Sequence, residues 1–157
     1  MKGRSGIAPG WAFEDAEVGA VIAHPGSRRI GLDEHGWIAM VTSNASDLHL
    51  DANQADSSAF GQPVVLGALT VAIVVGLAEP QEWPAAAVGR GELAGWTAIR
   101  LGEPVFGGDT IQAESTILAA ARTEHGGLVQ RRIVGRNQRG EVVATIDEGR
   151  LVPLNGR

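Results

Sequence analysis

The residues best suited to chemistry stand together in Thr42-Ser43-Asn44-Ala45-Ser46-Asp47-Leu48-His49-Leu50-Asp51. His49 is of the type that changes charge near neutral pH, so it can take up and return a proton. Asn44 offers an amide that can orient a water but cannot accept its proton, and Asp47 sets a carboxylate two residues before the histidine. Each also has a plainer reading. His49 fits an exposed loop or the cap of a neighbouring turn, Asn44 fits the end of a helix, and Asp47 fits a solvated loop position. Asp51 is placed to cap a short helix running through Gln54 and Ala55.

Other groups are spread more widely. Arg131, Arg132, Arg136 and Arg139 carry guanidinium groups that suit phosphate oxygens two at a time. On alternating strand positions they equally make a polar outer face. His24, His35 and His125 have no metal-ligand spacing to a carboxylate, so no metal is predicted. The chain has no cysteine, which removes disulfides, thiolate catalysis and cysteine-held zinc together. A formal net charge of −5 gives no footprint for nucleic acid, while leaving room for a local basic patch against a phosphorylated ligand.

These residues need a frame. With 157 residues, 44% hydrophobic and 20% charged, the chain suits one domain with a real core. Residues 1–12 read as a flexible tail and 13–157 as the domain. The opening residues lack an apolar core of signal-peptide length. The longest apolar run, Pro63 to Ala78, is shorter than the ~20 residues that cross a bilayer, so the expectation is a cytoplasmic protein bound to no membrane.

Phe13 to Val21 leads to a turn near His24-Pro25-Gly26, and Ser27 to Ile30 is extended. Leu32, Trp37, Ile38 and Val41 recur at helical spacing over 32–42. The polar segment after it favours a loop or a capped turn. Val64 to Glu79 is apolar on nearly every face and closed by Pro80, which predicts a buried helix despite its many β-branched residues. In it Gly67 lets another backbone approach. Glu82 to Ala86 reads as a loop. Leu93–Leu101, Thr110–Arg122, Leu128–Arg136 and Glu141–Val152 read as strands, with a hairpin turn at Asn137-Gln138-Arg139-Gly140 and a bulge at Asp147-Glu148-Gly149. An antiparallel sheet around one buried helix is the economical α+β arrangement.

The segment 42–51, followed by Phe60-Gly61-Gln62-Pro63 and Leu66-Gly67, resembles the hydratase motif of the MaoC-like hot-dog dehydratases, roughly T-G-D-x-N-P-L-H-x-D and then G-F-x-x-P-I-x-H-G. Phe13-Glu14-Asp15 with Val18-Gly19 resembles that family's opening strand, Pro104-Val105-Phe106 with Gly108-Asp109-Thr110 its strand-entry motif, and Arg136-Asn137-Gln138 with Gly140-Glu141-Val142-Val143 its last hairpin, so the likeness spans nearly the whole chain. It is nearest the branch with mesaconyl-CoA hydratases, which tend to read M-N-T-H-P-L-H-F-D here.

The resemblance implies a single hot-dog fold, pairing into a homodimer or higher homo-oligomer, and addition or removal of water at the β-carbon of an acyl thioester. The substrate would be carried by CoA or an acyl carrier protein, with no cofactor apart from the CoA or phosphopantetheine of the substrate itself. It implies His49 as main acid/base, Asn44 as water holder and the Gly67 backbone N–H as donor to the thioester oxygen, while Asp47, which the family lacks, restores a carboxylate two residues before His49. Ser46, Phe60, Pro63, Val65 and Leu66 would contact the substrate. Asn44 stands where the family has Asp, Asp47 where it has Pro, Ser46 where it has Asn, and Leu66 where it has His. A hot-dog thioesterase and a non-catalytic acyl-thioester-binding subunit are the competing functions, because fold does not fix function.

Overall fold

A computed structural model describes residues 4–5, 13–79, 92–124, 126–152 and 154. The chain opens with β1 (Arg4–Ser5), a short 3-10 turn at Phe13–Asp15 where the resemblance implied a strand, and β2 (Val21–Arg29). Four helices follow: α1 (Leu32–Val41), α2 (Asp47–Leu50), α3 (Ala52–Asp56) and α4 (Gly67–Ala78). The second half is all strand, with β3 (Glu92–Leu101), β4 (Thr110–Thr123), β5 (Gly126–Arg136) and β6 (Val142–Val152). The predicted loop at Glu82–Ala86 lies outside the described residues, as does most of the predicted tail. Within that tail, Arg4 and Ser5 pair parallel with Ile22 and Ala23.

The sheet runs β1-β2-β4-β5-β6-β3, and every pairing except β1–β2 is antiparallel. It curls around α4, which touches β2, β3, β4, β5 and β6. This is the expected hot-dog arrangement. Residues Ile111, Ala113, Ile133, Ala144 and Ile146 supply the inner face, and Val74 and Ala78 meet them from the helix. A Cβ at position 135 would lie 2.2 Å from Val74 Cγ2, so only glycine lets α4 seat on β5 at Gly135. A second cluster, Ile22, Ile117, Val129 and Val152 with Phe13 packed against it, closes one end.

Four expectations are corrected. The central helix begins at Gly67 rather than Val64, because residue 64 bridges to Phe106 and the Val65 N–H bonds Val105 O, which spends that backbone outside the helix. That helix is not buried all round: Thr70, Val74 and Ala78 are enclosed, while Ala68, Ala72 and Gly76 form an open stripe of small residues.

The expected turn at His24-Pro25-Gly26 is a bulge inside β2, where three residues face Ala113 alone; proline, which lacks an N–H, suits such an unpaired place. The bulge expected in β6 lies instead in its neighbour: Ala94 and Thr97 of β3 have no opposite residue, while β6 pairs with β5 without a break across Asp147, Glu148 and Gly149. Among the described residues no helix is long and apolar enough to cross a membrane.

Candidate active site

α1 ends in a hydrogen-bonded reversal. Ser43 takes a left-handed conformation at φ 57°, the Ser43 N–H bonds Met40 O at 3.1 Å, and the Asn44 N–H bonds Ala39 O at 2.9 Å. Those two bonds are the Schellman pattern, which satisfies carbonyls left over at a helix end. The plainer reading of Asn44 therefore holds for its backbone, and the left-handed position belongs to Ser43. The Asn44 side chain stays exposed beside α2.

α2 then carries His49. Ser46 precedes it without a side-chain cap bond, and Asp47 opens it, both exposed. Asp51 closes α2 and caps α3 as expected, accepting from the Asn53 N–H at 2.8 Å and the Gln54 N–H at 3.3 Å. Two bonds tie α2 to the approach of α4. The Val64 N–H reaches Leu48 O at 3.3 Å, and His49 Nδ1 lies 2.7 Å from Val64 O. A carbonyl oxygen can only accept, so Nδ1 carries the proton of the neutral ring, and Nε2 keeps the lone pair that a base needs.

Three residues beyond Val64 stands Gly67, the first residue of α4. Its N-cap, Leu66, supplies no side-chain bond, and the first amides of a helix have no partner within it. They present donors and the positive end of the helix dipole, which suits an oxygen gaining negative charge. A Cβ at Gly67 would fall 2.3 Å from Leu101 Cδ1, so it is the side chain of β3's last residue, and not the expected second backbone, that overlies this glycine. Phe60 is exposed and Pro63 half-buried, whereas Val65 and Leu66 are enclosed at 4% and 1% exposure, Val65 within the core.

The arginines resolve in favour of ion pairs. Arg132 meets Asp147 through two bonds of 2.6 and 2.7 Å, Arg136 lies 3.6 Å from Glu114, and Arg139 reaches both Asp109 and Glu141. Arg131 is not on the outer face: its position on β5 turns it inward, where Nε donates to Glu148 Oε1 at 2.7 Å and Nη1 to Ala78 O at 3.1 Å, closing the far end of α4. Burial alone would raise the Glu148 carboxyl, but Arg131 and Arg150 outweigh it and hold the group below its ordinary range. Asp109 behaves alike: bonds from Gln138, the Phe106 N–H and Arg139 overcome the effect of burial and lower it.

Two histidines stand out beyond the sequence reading. His24 lies 2.7 Å from Ser115 Oγ inside the sheet, and burial with Arg131 nearby pushes it down to about 4. His35 is buried on the inner side of α1. The apolar spacing of α1 pointed instead to Trp37 and Val41 as the packed face, yet those are 69% and 65% exposed. The observed inner pair is His35 and Ala39, four residues apart, and that i, i+4 spacing was the signal available.

A helix wrapped by an antiparallel sheet, with a histidine bonded to the segment that leads into that helix, defines a hot-dog protein. The family model of the MaoC like domain matches residues 18–134, and the chain belongs to that family. Among solved structures it is similar to the monoamine oxidase regulatory protein of Archaeoglobus fulgius, with 26% identity, a TM-score of 0.81 and 99% of each chain covered. It is similar to the (R)-hydratase of A. caviae involved in PHA biosynthesis, with 25% identity, a TM-score of 0.71, and 89% of this chain and 99% of that one covered. A Mycobacterium tuberculosis protein with a double hot-dog fold aligns at 16% identity and a TM-score of 0.71, over 94% of this chain and 45% of that one. No curated protein matches the sequence.

Proposed function

We propose that this chain adds water to, or removes it from, the β-carbon of an acyl thioester carried by CoA or an acyl carrier protein. The observation that carries the reading is the His49 Nδ1 to Val64 O bond, which leaves Nε2 as a base and ties the ring to the segment that leads, three residues on, into the first amides of α4. Membership in the MaoC-like family and the likeness to an (R)-hydratase support it.

In hydration, His49 Nε2 takes a proton from water as the water oxygen bonds to Cβ. The double-bond pair moves toward Cα and the thioester oxygen, where the Gly67 N–H stabilises the enolate charge. His49 then returns its proton to Cα, so one group serves as base and acid in turn. Dehydration is the reverse. Asn44 orients the water and takes no proton, and Asp47 stands near as a carboxylate for exchange with solvent. Ser46, Phe60 and Pro63 border the substrate, while Val65 and Leu66, expected to share that contact, are enclosed and stand behind them. Asn44 in place of the family's Asp favours a mesaconyl-type substrate, short and branched or carboxylated. A homodimer fits as well: β3 is an open sheet edge with Leu93, Trp96, Ile99 and Leu101 exposed, and such an edge calls for a partner.

The test follows ultraviolet loss of the conjugated thioester in enoyl-CoA for wild type against His49→Ala. The variant should lose roughly 10²- to 10⁴-fold in rate, the usual share of a general acid/base. Equal rates refute the assignment, and release of free thiol from saturated acyl-CoA would replace it with a thioesterase.

A further inference from the structure

α1 turns His35 and Ala39 inward, at 5% and 0% exposure. Packing alone would favour an apolar residue at 35, because a buried ring nitrogen that lacks a partner is costly. His35 Nδ1 is enclosed and has no hydrogen-bond partner among the described residues. What faces it is α2. A Cβ on Gly36 would lie 3.8 Å from Leu50 Cδ2, so α1 meets α2 at the residues next to His35 and His49, and His49 is near enough for its charge to act on His35.

We propose that His35 is a positioning residue for His49: a buried, neutral imidazole behind the acid/base that reserves the pair's single proton for His49. The inference rests on the hydration reading, since His35 has this task only if His49 moves a proton. Two neighbouring imidazoles do not both carry charge cheaply, and they titrate as a pair. Burial holds the His35 ring below the ordinary histidine range and His49 pushes it the same way, so the enclosed ring is the worse host for charge.

His49 is half-buried and anchored through Nδ1 to Val64 O, a bond that the ring keeps when Nε2 takes up a proton. Other charges nearby are engaged elsewhere or turned outward. Asp33 and Asp47 are exposed, Glu34 pairs with Arg28, and Asp51 caps α3. With an amide rather than a carboxylate at Asn44, a neutral neighbour that refuses the proton supplies order that the site otherwise lacks.

The test uses the full chain as His35→Phe, which keeps ring volume without the nitrogens, and as His35→Asn, which keeps a polar atom near the Nδ1 position. Hydration of crotonyl-CoA gives kcat and KM, and nitrogen-15 NMR of the imidazoles follows ring protonation from pH 8 to 5. His35→Phe should fold as well as wild type and lose about tenfold or more in kcat with KM little changed. Its His49 ring titration should move from the wild-type midpoint, and His35→Asn should recover part of both. Unchanged kcat with an unmoved His49 titration overturns the proposal, as does wild-type His35 taking a proton before His49. Coupled rings in an inactive wild type would refute the hydration reading and with it the role given to His35. Uncoupled rings in an active wild type would refute the role of His35 alone.

Discussion

His24 should make the protein lose stability in mild acid, well before its carboxylates titrate. The ring bonds Ser115 Oγ at 2.7 Å inside the sheet and is pushed from 6.5 to about 4, first by burial and then by Arg131. A folded value below the unfolded one means that the native state binds fewer protons between those limits, so stability rises with pH there. The contribution is complete above 6.5 and is lost as pH falls toward 4. Its full size is roughly 3 kcal/mol, of which about 2 kcal/mol is gone by pH 5.

The perturbation is His24→Gln, whose amide can still bond Ser115 Oγ but does not titrate. Urea unfolding of both proteins at one fixed concentration, from pH 7 to 5, gives the comparison. Wild type should lose about 2 kcal/mol more than the variant over that range. His35 and the lowered carboxylates Asp109, Asp147 and Glu148 act in both proteins, so they cancel in the difference. Parallel stability curves would refute the reasoning and place His24 in contact with water.

Two further substitutions probe the frame of the site. Ser43→Gly should stabilise the protein, because a left-handed L-residue at φ 57° carries about 1–2 kcal/mol of strain that glycine's extra freedom in the unfolded chain only partly offsets. A melting temperature roughly 2 °C higher is expected, and an unchanged or lower one would show that Ser43 is not strained. Ile99→Lys places a charge on the open edge strand β3, where the residue is 45% exposed and costs the fold little. Sedimentation should show wild type associated at micromolar concentration and the variant as monomer, and a wild type that is itself monomeric would end the dimer reading.

Much of the frame was legible because it rests on local pattern. The four predicted strands and the central helix appear close to their expected bounds, since alternation and an unbroken apolar run record which faces are enclosed. What failed was set by pairing between distant segments. The approach to α4 at Val64 and Val65 carries β-branched residues in a helix-like apolar run, yet its backbone goes to Val105, Phe106 and Leu48. The bulge moved from β6 to β3 for a related reason. Asp147 and Glu148 break the apolar pattern of β6, but they are held there by Arg132 and Arg131 of β5, so β6 has no need to buckle.

The site divides along the same line. His49, Asn44 and Asp47 lie within six residues of one another, and a motif of that length can be read from the chain. His35 could not be read so, because its nearness to His49 arises from α1 reversing at Ser43 and bringing α2 back against α1, with Leu50 beside Gly36. Sequence patterning even pointed away from it, through the larger apolar residues Trp37 and Val41 that turn outward. A motif thus names the group that can move a proton, while the packing of the helix before it decides where that proton can rest. If His35 is the reason the proton rests on His49, then Asn44 is no defect in the motif. An ionised carboxylate at 44 would attract the proton that the His35–His49 pair already confines, and the amide leaves that task to the histidines.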